Sequence, residues 1–233
     1  MTSFIDTHCH LDKLDLSPEE AIHEAMQVGV KKMITISVDE SSLSFVSSVV
    51  KKFLCVYGSV GFHPHDSLSL TESLENRIID LANENEKIIA IGETGLDYHY
   101  MNSPSEVQKK VFRKHINIAK ITNLPLILHT REAETDTMNI LKDFNNIPIG
   151  VAHSFTGSIK MAKKLVEMGW YLGINGIVTF KNAGELRELV SWLPIDNLLL
   201  ETDAPFLSPI PFRGKPNKPS NIPTIASFIA EFR

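Results

Sequence analysis

The chain has 233 residues, 43% of them hydrophobic, and a formal net charge of −5 at pH 7. The length suits one large α/β domain or two small ones, and no run approaches the roughly 20 apolar residues that a membrane span needs. The negative charge excludes a broad positive field, so a nucleic-acid partner would have to be held locally by metals and a few cationic side chains.

Eight short apolar runs recur along the chain, and helical patterns separate them. The runs are rich in Ile, Val and Leu and mostly do not alternate with polar residues, which is typical of parallel strands covered on both faces. They span 4–6, 33–37, 55–61, 88–92, 125–129, 149–153, 170–174 and 198–201.

Helix-capping signals mark three of the intervening helices. Ser17 begins a capping box in which Pro18 takes the first helical position and Glu20 reaches back to the cap. Ser103 begins a similar sequence, and Ser158 is a candidate cap for a third helix. Weaker helical patterns cover 41–52, 71–85, 133–144 and 184–191.

Strands that alternate with helices predict right-handed βαβ units and a parallel sheet, either a closed barrel or an open doubly wound sheet. The count of eight strands and the polar residues at many strand ends favour the barrel. No glycine-rich phosphate loop follows the first strand. We therefore predict a single (β/α)8 TIM-barrel domain over 1–233, with the proline-rich stretch 205–223 as a long loop at the rim of the site.

Six side chains of the kind that bind metals stand where the apolar runs stop. Because a barrel gathers the carboxyl ends of its strands at one rim, we expect them to share one site. Residues two apart in extended backbone point to the same side, so His8 and His10 can face one metal. The six residues are His8, His10, Glu93, His129, His153 and Asp203.

Histidine and carboxylate ligands without thiolate suit zinc, manganese, cobalt, nickel or iron, with magnesium possible on the carboxylate-rich side. A two-metal site needs a bridging anion, and Glu93 can serve. Paired metals generate hydroxide and stabilise the attacking and leaving oxygens, as phosphodiester hydrolysis requires. Asp203 is a candidate for taking the proton from the metal-bound water. Taken singly, His129 and His153 fit a hydrogen-bonded core histidine equally well.

Five further residues are candidates for a second layer around the metals. His63 can meet a phosphate oxygen or support a ligand, and Arg131 can pair with a phosphate or lie exposed in a loop. Arg213 and Lys215 form a short basic patch in the proline-rich stretch. Tyr98 can stack on a base or pack its own loop.

Seven motifs spread from residue 4 to about residue 221 form a recognisable combination. They are FIDTHCHLD (4–12), GFHPH (61–65), IGETGLDY (91–98), PLILHTR (125–131), HSFTG (153–157), LETDAP (200–205) and RGKPNKPSN (213–221). In this combination the chain resembles the TatD-type metal-dependent deoxyribonucleases, within the wider group of amidohydrolase-like barrels.

The resemblance implies two divalent metal ions, for which Mg, Mn and Zn are the candidates. It assigns one metal to His8, His10, Glu93 and Asp203 and the other to Glu93, His129 and His153, with Glu93 as the bridge. It implies hydrolysis of DNA phosphodiester bonds, as a 3′–5′ exonuclease on single strands. The catalytic residues that we expect are Asp203, Glu93 and His63.

Two other functions stay open at this point. Some members of the family that the chain resembles have deacylase-like roles. The same centre could therefore hydrolyse a small ester, amide or lactone, or an acylated tRNA. A non-catalytic barrel kept for binding is the third reading, although none of the six ligand residues is missing.

Several expectations concern the whole chain. The family continues for some tens of residues beyond the position of Arg233, so we expect part of the outer shell to be uncovered near the helical stripe of Ile225, Phe228, Ile229 and Phe232. The start of the chain has no basic region before an apolar stretch, which argues against a signal peptide. Cys9 lies, like the second cysteine, in an apolar run without a CxxC pair, which predicts buried, reduced thiols. We expect a cytoplasmic monomer.

Overall fold

The structure, a computed structural model, describes residues 2–233, and its eight strands form one parallel sheet in chain order. After the last strand, the chain bonds back to the first: the Asp203 amide donates to the His8 carbonyl and the His10 amide donates to the Ala204 carbonyl, each at 2.8 Å. These bonds close the predicted (β/α)8 TIM barrel, which is confirmed. The strands are β1 (Phe4–Cys9), β2 (Val30–Ile36), β3 (Val56–Val60), β4 (Ile88–Asp97), β5 (Leu126–Arg131), β6 (Gly150–Ala152), β7 (Tyr171–Ile174) and β8 (Leu198–Leu200).

Eight α-helices alternate with the strands in the described part of the chain, and each predicted helix is present. Their apolar faces pack onto the barrel wall, where Trp170, Phe62 and Phe112 are among the largest fully buried side chains. The helices are α1 (Pro18–Gln27), α2 (Glu40–Lys52), α3 (Glu72–Glu84), α4 (Ser105–Thr122), α5 (Glu134–Lys142), α6 (Ile159–Glu167), α7 (Gly184–Trp192) and α8 (Ile222–Ala230).

Two of the three predicted helix caps are confirmed. The Ser17 hydroxyl accepts from the Glu20 amide, and Glu20 in return accepts from the Ser17 amide at 2.9 Å. Ser158 accepts from the Met161 amide at the start of α6. Both caps satisfy amides that the first helical turn leaves without a partner.

The third predicted cap, Ser103, is wrong. The residue before α4 is Pro104, and it makes no side-chain capping bond. Ser103 is buried instead, where its hydroxyl donates to the His65 carbonyl at 2.8 Å and accepts from the Leu68 amide. The hydroxyl thus holds the short 3-10 segment Pro64–Ser69, and this tertiary contact overrides the local capping pattern.

Strand β4 runs five residues beyond its predicted end, so Glu93 lies inside a strand and not after one. The pairing register with β5 shifts between Ile91 and Thr94, which marks a bulge. Gly92 has a φ of +137°, and a Cβ there would lie 2.5 Å from the Ile127 carbonyl oxygen. Gly92, which reads in the sequence as the end of the strand, is therefore needed for the bulge itself.

The remaining expectations about the chain have mixed outcomes. The proline-rich stretch lies at the carboxyl-terminal rim, where Phe206 borders the site, but it ends earlier than predicted because α8 begins at Ile222. Cys9 is buried as expected, whereas Cys55 is only half-buried, and both thiols are free. Among residues 2–233, no helix combines the length and the apolar character that crossing a bilayer requires.

Candidate metal centre

The structure brings all six predicted ligand residues together at the rim, with Glu93 in their middle. Glu93 Oε2 lies 3.3 Å from His8 Nε2 and 4.0 Å from His10 Nε2. Its other oxygen, Oε1, lies 2.9 Å from His129 Nδ1 and 2.8 Å from His153 Nε2. The two oxygens of a single carboxylate therefore face two different pairs of imidazoles.

The first cluster consists of His8, His10 and Asp203. Asp203 Oδ1 lies 3.6 Å from His8 Nε2 and 3.4 Å from His10 Nε2. His8 lies at the end of β1 and His10 directly follows it, and residues two apart in extended backbone turn their side chains to the same face. Asp203 follows β8 with a φ of +56°, a left-handed conformation that is uncommon for a residue other than glycine.

The second cluster consists of His129 from β5 and His153 just after β6. A further carboxylate stands behind each ring. His129 Nε2 lies 3.0 Å from Asp97 Oδ2, and His153 Nδ1 lies 3.5 Å from Glu201 Oε1. Carboxylates in this position fix the orientation and tautomer of metal-binding histidines.

Electrostatics keep the central carboxylates ionised. Burial by itself favours the neutral form of Glu93, but the charge of His153 and hydrogen bonds from His129 and His153 hold its pKa well below the usual range. Burial likewise opposes ionisation of Asp203, and the adjacent imidazoles of His10 and His153 lower its pKa. Metal ligands must be deprotonated, so both groups are in the required state at neutral pH.

Two buried atoms at the contact between Glu93 and the first cluster support a fit to a metal ion. His8 Nε2 and Asp203 Oδ1 make no hydrogen bond to any of residues 2–233, although both are buried. Buried polar atoms are otherwise nearly always paired. A divalent cation among these atoms would satisfy them, and the imidazole and carboxylate donors suit the metals named above.

His63 lies beside the second cluster with a defined tautomer. Its Nδ1 accepts from the His65 amide at 3.1 Å, so the ring proton is on Nε2, which points toward Glu93 Oε1 at 3.5 Å. Burial lowers the pKa of His63 well below its usual value, so the ring is neutral. A neutral imidazole with Nε2–H directed at the centre is a hydrogen-bond donor toward anything bound there.

Five of the six residues border a cavity of about 530 Å³, called the metal pocket below, and His8 is fully buried behind them. Two exposed aromatic rings stand at its mouth: Phe206 lies 5.9 Å from the His10 ring, and Tyr100 lies 5.5 Å from the His65 ring. Arg131 also borders the pocket, with its guanidinium 4.9 Å from the centre of the Tyr100 ring.

The other predicted substrate contacts lie elsewhere. Tyr98 borders a neighbouring cavity, and its hydroxyl donates to Asp136 at 2.7 Å. Arg213 and Lys215 do not border the metal pocket, because the guanidinium of Arg213 packs on the Phe180 ring at 3.9 Å and Lys215 is exposed. The predicted basic patch is therefore not part of the pocket.

Sequence reasoning missed the two supporting carboxylates, Asp97 and Glu201. The available signal was spacing: Asp97 stands four residues after Glu93, and Glu201 stands two before Asp203. In extended backbone both spacings place the two side chains on the same face. The spacing from Glu93 to Asp97 is not evident from the sequence, because Gly92 reads as the end of β4, and Glu201 reads as the last residue of its strand.

Comparisons with known proteins agree with this geometry. A family model described as TatD related DNase matches residues 5–233. The metal-dependent hydrolase YabD of Bacillus subtilis is 41% identical over 231 residues, which cover 98% of this chain and 90% of that protein. YcfH of Escherichia coli, also named a metal-dependent hydrolase, is 35% identical over 97% of this chain and 86% of its own length. The crystal structure of the TatD homologue YjjV from E. coli superposes with a TM-score of 0.93 at 31% identity, covering 99% of this chain and 90% of that one.

Proposed function

The chain belongs to the TatD family of metal-dependent hydrolases, and from this premise we propose that it is a deoxyribonuclease that hydrolyses single-stranded DNA from the 3′ end. The observation that carries the proposal is the position of Glu93 between two clusters of imidazoles. One oxygen faces His8 and His10 and the other faces His129 and His153.

This arrangement fits two divalent cations, both of which Glu93 would help to hold. His8, His10 and Asp203 would hold one, and His129 and His153 would hold the other. Paired cations of this kind polarise a phosphoryl oxygen and lower the pKa of water, which is the chemistry that phosphodiester hydrolysis needs.

The side chains around the cations have separate tasks in this proposal. Asp203 is ionised and accepts the proton of the attacking water. His63 is neutral and donates its Nε2–H to a non-bridging phosphate oxygen. Arg131 pairs with phosphate at the pocket mouth, where its stacking on Tyr100 limits its motion.

The pocket mouth supports a nucleic-acid substrate. Tyr100 is 57% exposed and Phe206 is 49% exposed, although both border a polar site. Exposed aromatic rings beside a phosphate site provide stacking surfaces for unpaired bases, and this mode of binding tolerates any sequence. A single-stranded 3′ end, whose bases are free to stack, is the substrate that uses all these features.

A small-molecule ester, amide or lactone, or an acylated tRNA, is the second candidate substrate. One observation favours it: three carboxylates, Glu132, Glu134 and Asp136, border the cavity next to the metal pocket. Their negative charge opposes a polyanion unless each is paired, and a neutral substrate would meet no such opposition.

The test is release of mononucleotides from single-stranded DNA in the presence of Mg²⁺ or Mn²⁺. Substrates labelled at the 5′ or the 3′ end report the direction of digestion, and a 3′-phosphate should slow an enzyme that begins at that end. Glu93→Gln should abolish release, whereas Glu72→Gln, on the exposed side of α3, should keep it. Turnover of carbonyl esters far above turnover of DNA would instead establish the second candidate.

A further inference from the structure

A groove with an unusual charge lies between helices α5 and α6. It has a volume of about 210 Å³, and its floor contains the buried side chains of Met138 and Met161. Lys142 closes α5, and Lys160 and Lys164 stand one turn apart on α6, so three lysines border the same narrow space. We call this space the lysine groove.

The three lysines have no acidic partner. None forms an ion pair within residues 2–233, whereas Lys109, Lys114 and other lysines of the chain do. The one carboxylate bordering the groove, Glu134, accepts from the Ser158 hydroxyl at 2.7 Å at the upper end. In a chain with a net charge of −5, this local concentration of unpaired positive charge is suited to an anionic ligand.

The lysine groove is continuous with the metal pocket. It shares Glu134 and Thr135 with a cavity of about 690 Å³, and that cavity shares Thr130, Arg131 and Thr156 with the metal pocket. The three spaces therefore form one depression that leads from the metal centre over the rim to the outer helices.

The acidic residues along this depression are already engaged. Asp136 Oδ2 lies 2.8 Å from Lys109 and accepts from the Tyr98 hydroxyl at 2.7 Å. Glu132 lies 2.6 Å from His99 Nδ1. Lys109 thus partly compensates the charge of Asp136, and the three lysines at the far end are the feature that suits a polyanion following the depression.

We propose that the lysine groove binds the phosphate backbone of single-stranded DNA several nucleotides away from the scissile bond. The inference rests on the proposed nuclease function and makes it more specific, since the enzyme would hold a long strand better than a short one. Lysines on two neighbouring helices contact phosphates without reading bases, which suits a groove that follows a strand of any sequence.

The test is binding of fluorescent single-stranded oligonucleotides to the whole chain, with a chelator present so that no cleavage occurs. The variant is Lys142→Ala/Lys160→Ala/Lys164→Ala. The matched control is Lys51→Ala/Lys110→Ala/Lys163→Ala, which removes three exposed lysines outside the groove and changes the charge equally. Five of the six side chains are exposed and Lys164 is half-buried, and thermal melting curves of both variants verify folding.

Loss of three phosphate contacts should reduce the slope of log K against log salt by about 2, since each contact to a single strand contributes about 0.7. For an oligonucleotide of about 20 residues at about 50 mM salt, affinity should fall roughly 10- to 100-fold. The control should keep the wild-type slope. An unchanged slope in the groove variant, or an equal loss in the control, overturns the inference.

Cleavage assays separate this inference from the proposed function. The groove variant should raise KM for the long strand and leave kcat/KM for a dinucleotide unchanged. If the wild type cleaves neither substrate, the nuclease function is wrong, while the salt slopes still decide whether the groove binds DNA. If the wild type cleaves DNA and the groove variant matches it on long strands, only the groove inference is wrong.

Discussion

The two sides of Glu93 hold their histidines by different means. His8 and His10 take their positions from the backbone of β1, and the Asp203 amide bonds to the His8 carbonyl where the barrel closes. The Nδ1 atoms of His8 and His10 make no side-chain hydrogen bond within residues 2–233. His129 Nε2, by contrast, bonds Asp97 Oδ2 at 3.0 Å, and His153 Nδ1 faces Glu201 Oε1 at 3.5 Å, although it makes no hydrogen bond to these residues either.

This difference shows which parts of the molecule each side depends on. Asp6 joins β1 to the segment after β8, because its carboxylate accepts from the Thr202 amide at 2.9 Å and from the Thr202 hydroxyl at 2.5 Å. Burial raises the pKa of Asp6 to about 8, because the barrel interior disfavours the charged form of this carboxyl group. The first cluster therefore depends on barrel closure, and the second depends on buried side chains.

Glu93→Gln should have the largest effect, because it removes the one group that both sides share. We expect the bound metal to fall below the wild-type amount and activity to fall by more than about 100-fold, the upper end of what loss of an outer carboxylate produces. Elemental analysis and the nuclease assay measure both quantities. Asp203→Asn, which changes only the first cluster, should keep metal in the second. Full metal content in Glu93→Gln would show that Glu93 does not join the two sides.

Glu201→Gln should have the next largest effect, and it should act on the second side alone. The amide keeps the size of the side chain but weakens the acceptor that faces His153 Nδ1, so affinity for one cation should fall about 10- to 100-fold. Asp97→Asn should do the same through His129. Asp143→Asn, an exposed residue paired with Arg113, is the control.

Competition with a chelator during metal titration separates the two binding steps of these variants. Glu201→Gln and Asp97→Asn should weaken the same one of the two metal-binding steps and leave the other unchanged. Equal weakening of both steps would mean that the carboxylates support the whole centre, and the proposed division into two sides would then be wrong.

The sequence was sufficient to predict the eight strands and the meeting of six residues, Glu93 among them, because each follows or lies within an apolar run. It was not sufficient to place Glu93 within β4, since Gly92 reads as a strand end until the bulge and the Ile127 backbone are seen. The sequence also predicts Arg213 at the substrate, because the residues of a loop do not show which way a charged side chain points. Its packing on Phe180 is a tertiary contact between segments thirty-three positions apart.

A histidine outside the centre gives a predicted effect on stability alone, with none on metal binding, and completes the contrast. His115 is buried in α4 without a carboxylate partner: Nε2 accepts from the Phe62 amide and Nδ1 bonds the Val111 carbonyl. Burial lowers its pKa to about 4, whereas carboxylates raise the pKa of His129 and His153 in spite of burial. The neutral ring of His115 is therefore part of the folded state.

The sign of the pH effect follows from this lowered pKa. As pH falls below about 6.5, the unfolded chain takes up a proton at His115 before the folded chain does, so the free energy of unfolding decreases until about pH 4. At about 1.4 kcal/mol for each pKa unit, the loss approaches about 3 kcal/mol. His115→Gln should lower stability at pH 7 and flatten this part of the pH dependence, as urea unfolding at about pH 7 and about pH 4.5 would measure. An equally steep dependence in the variant would mean that other groups cause it, and that burial without a carboxylate partner does not set the protonation state of this histidine.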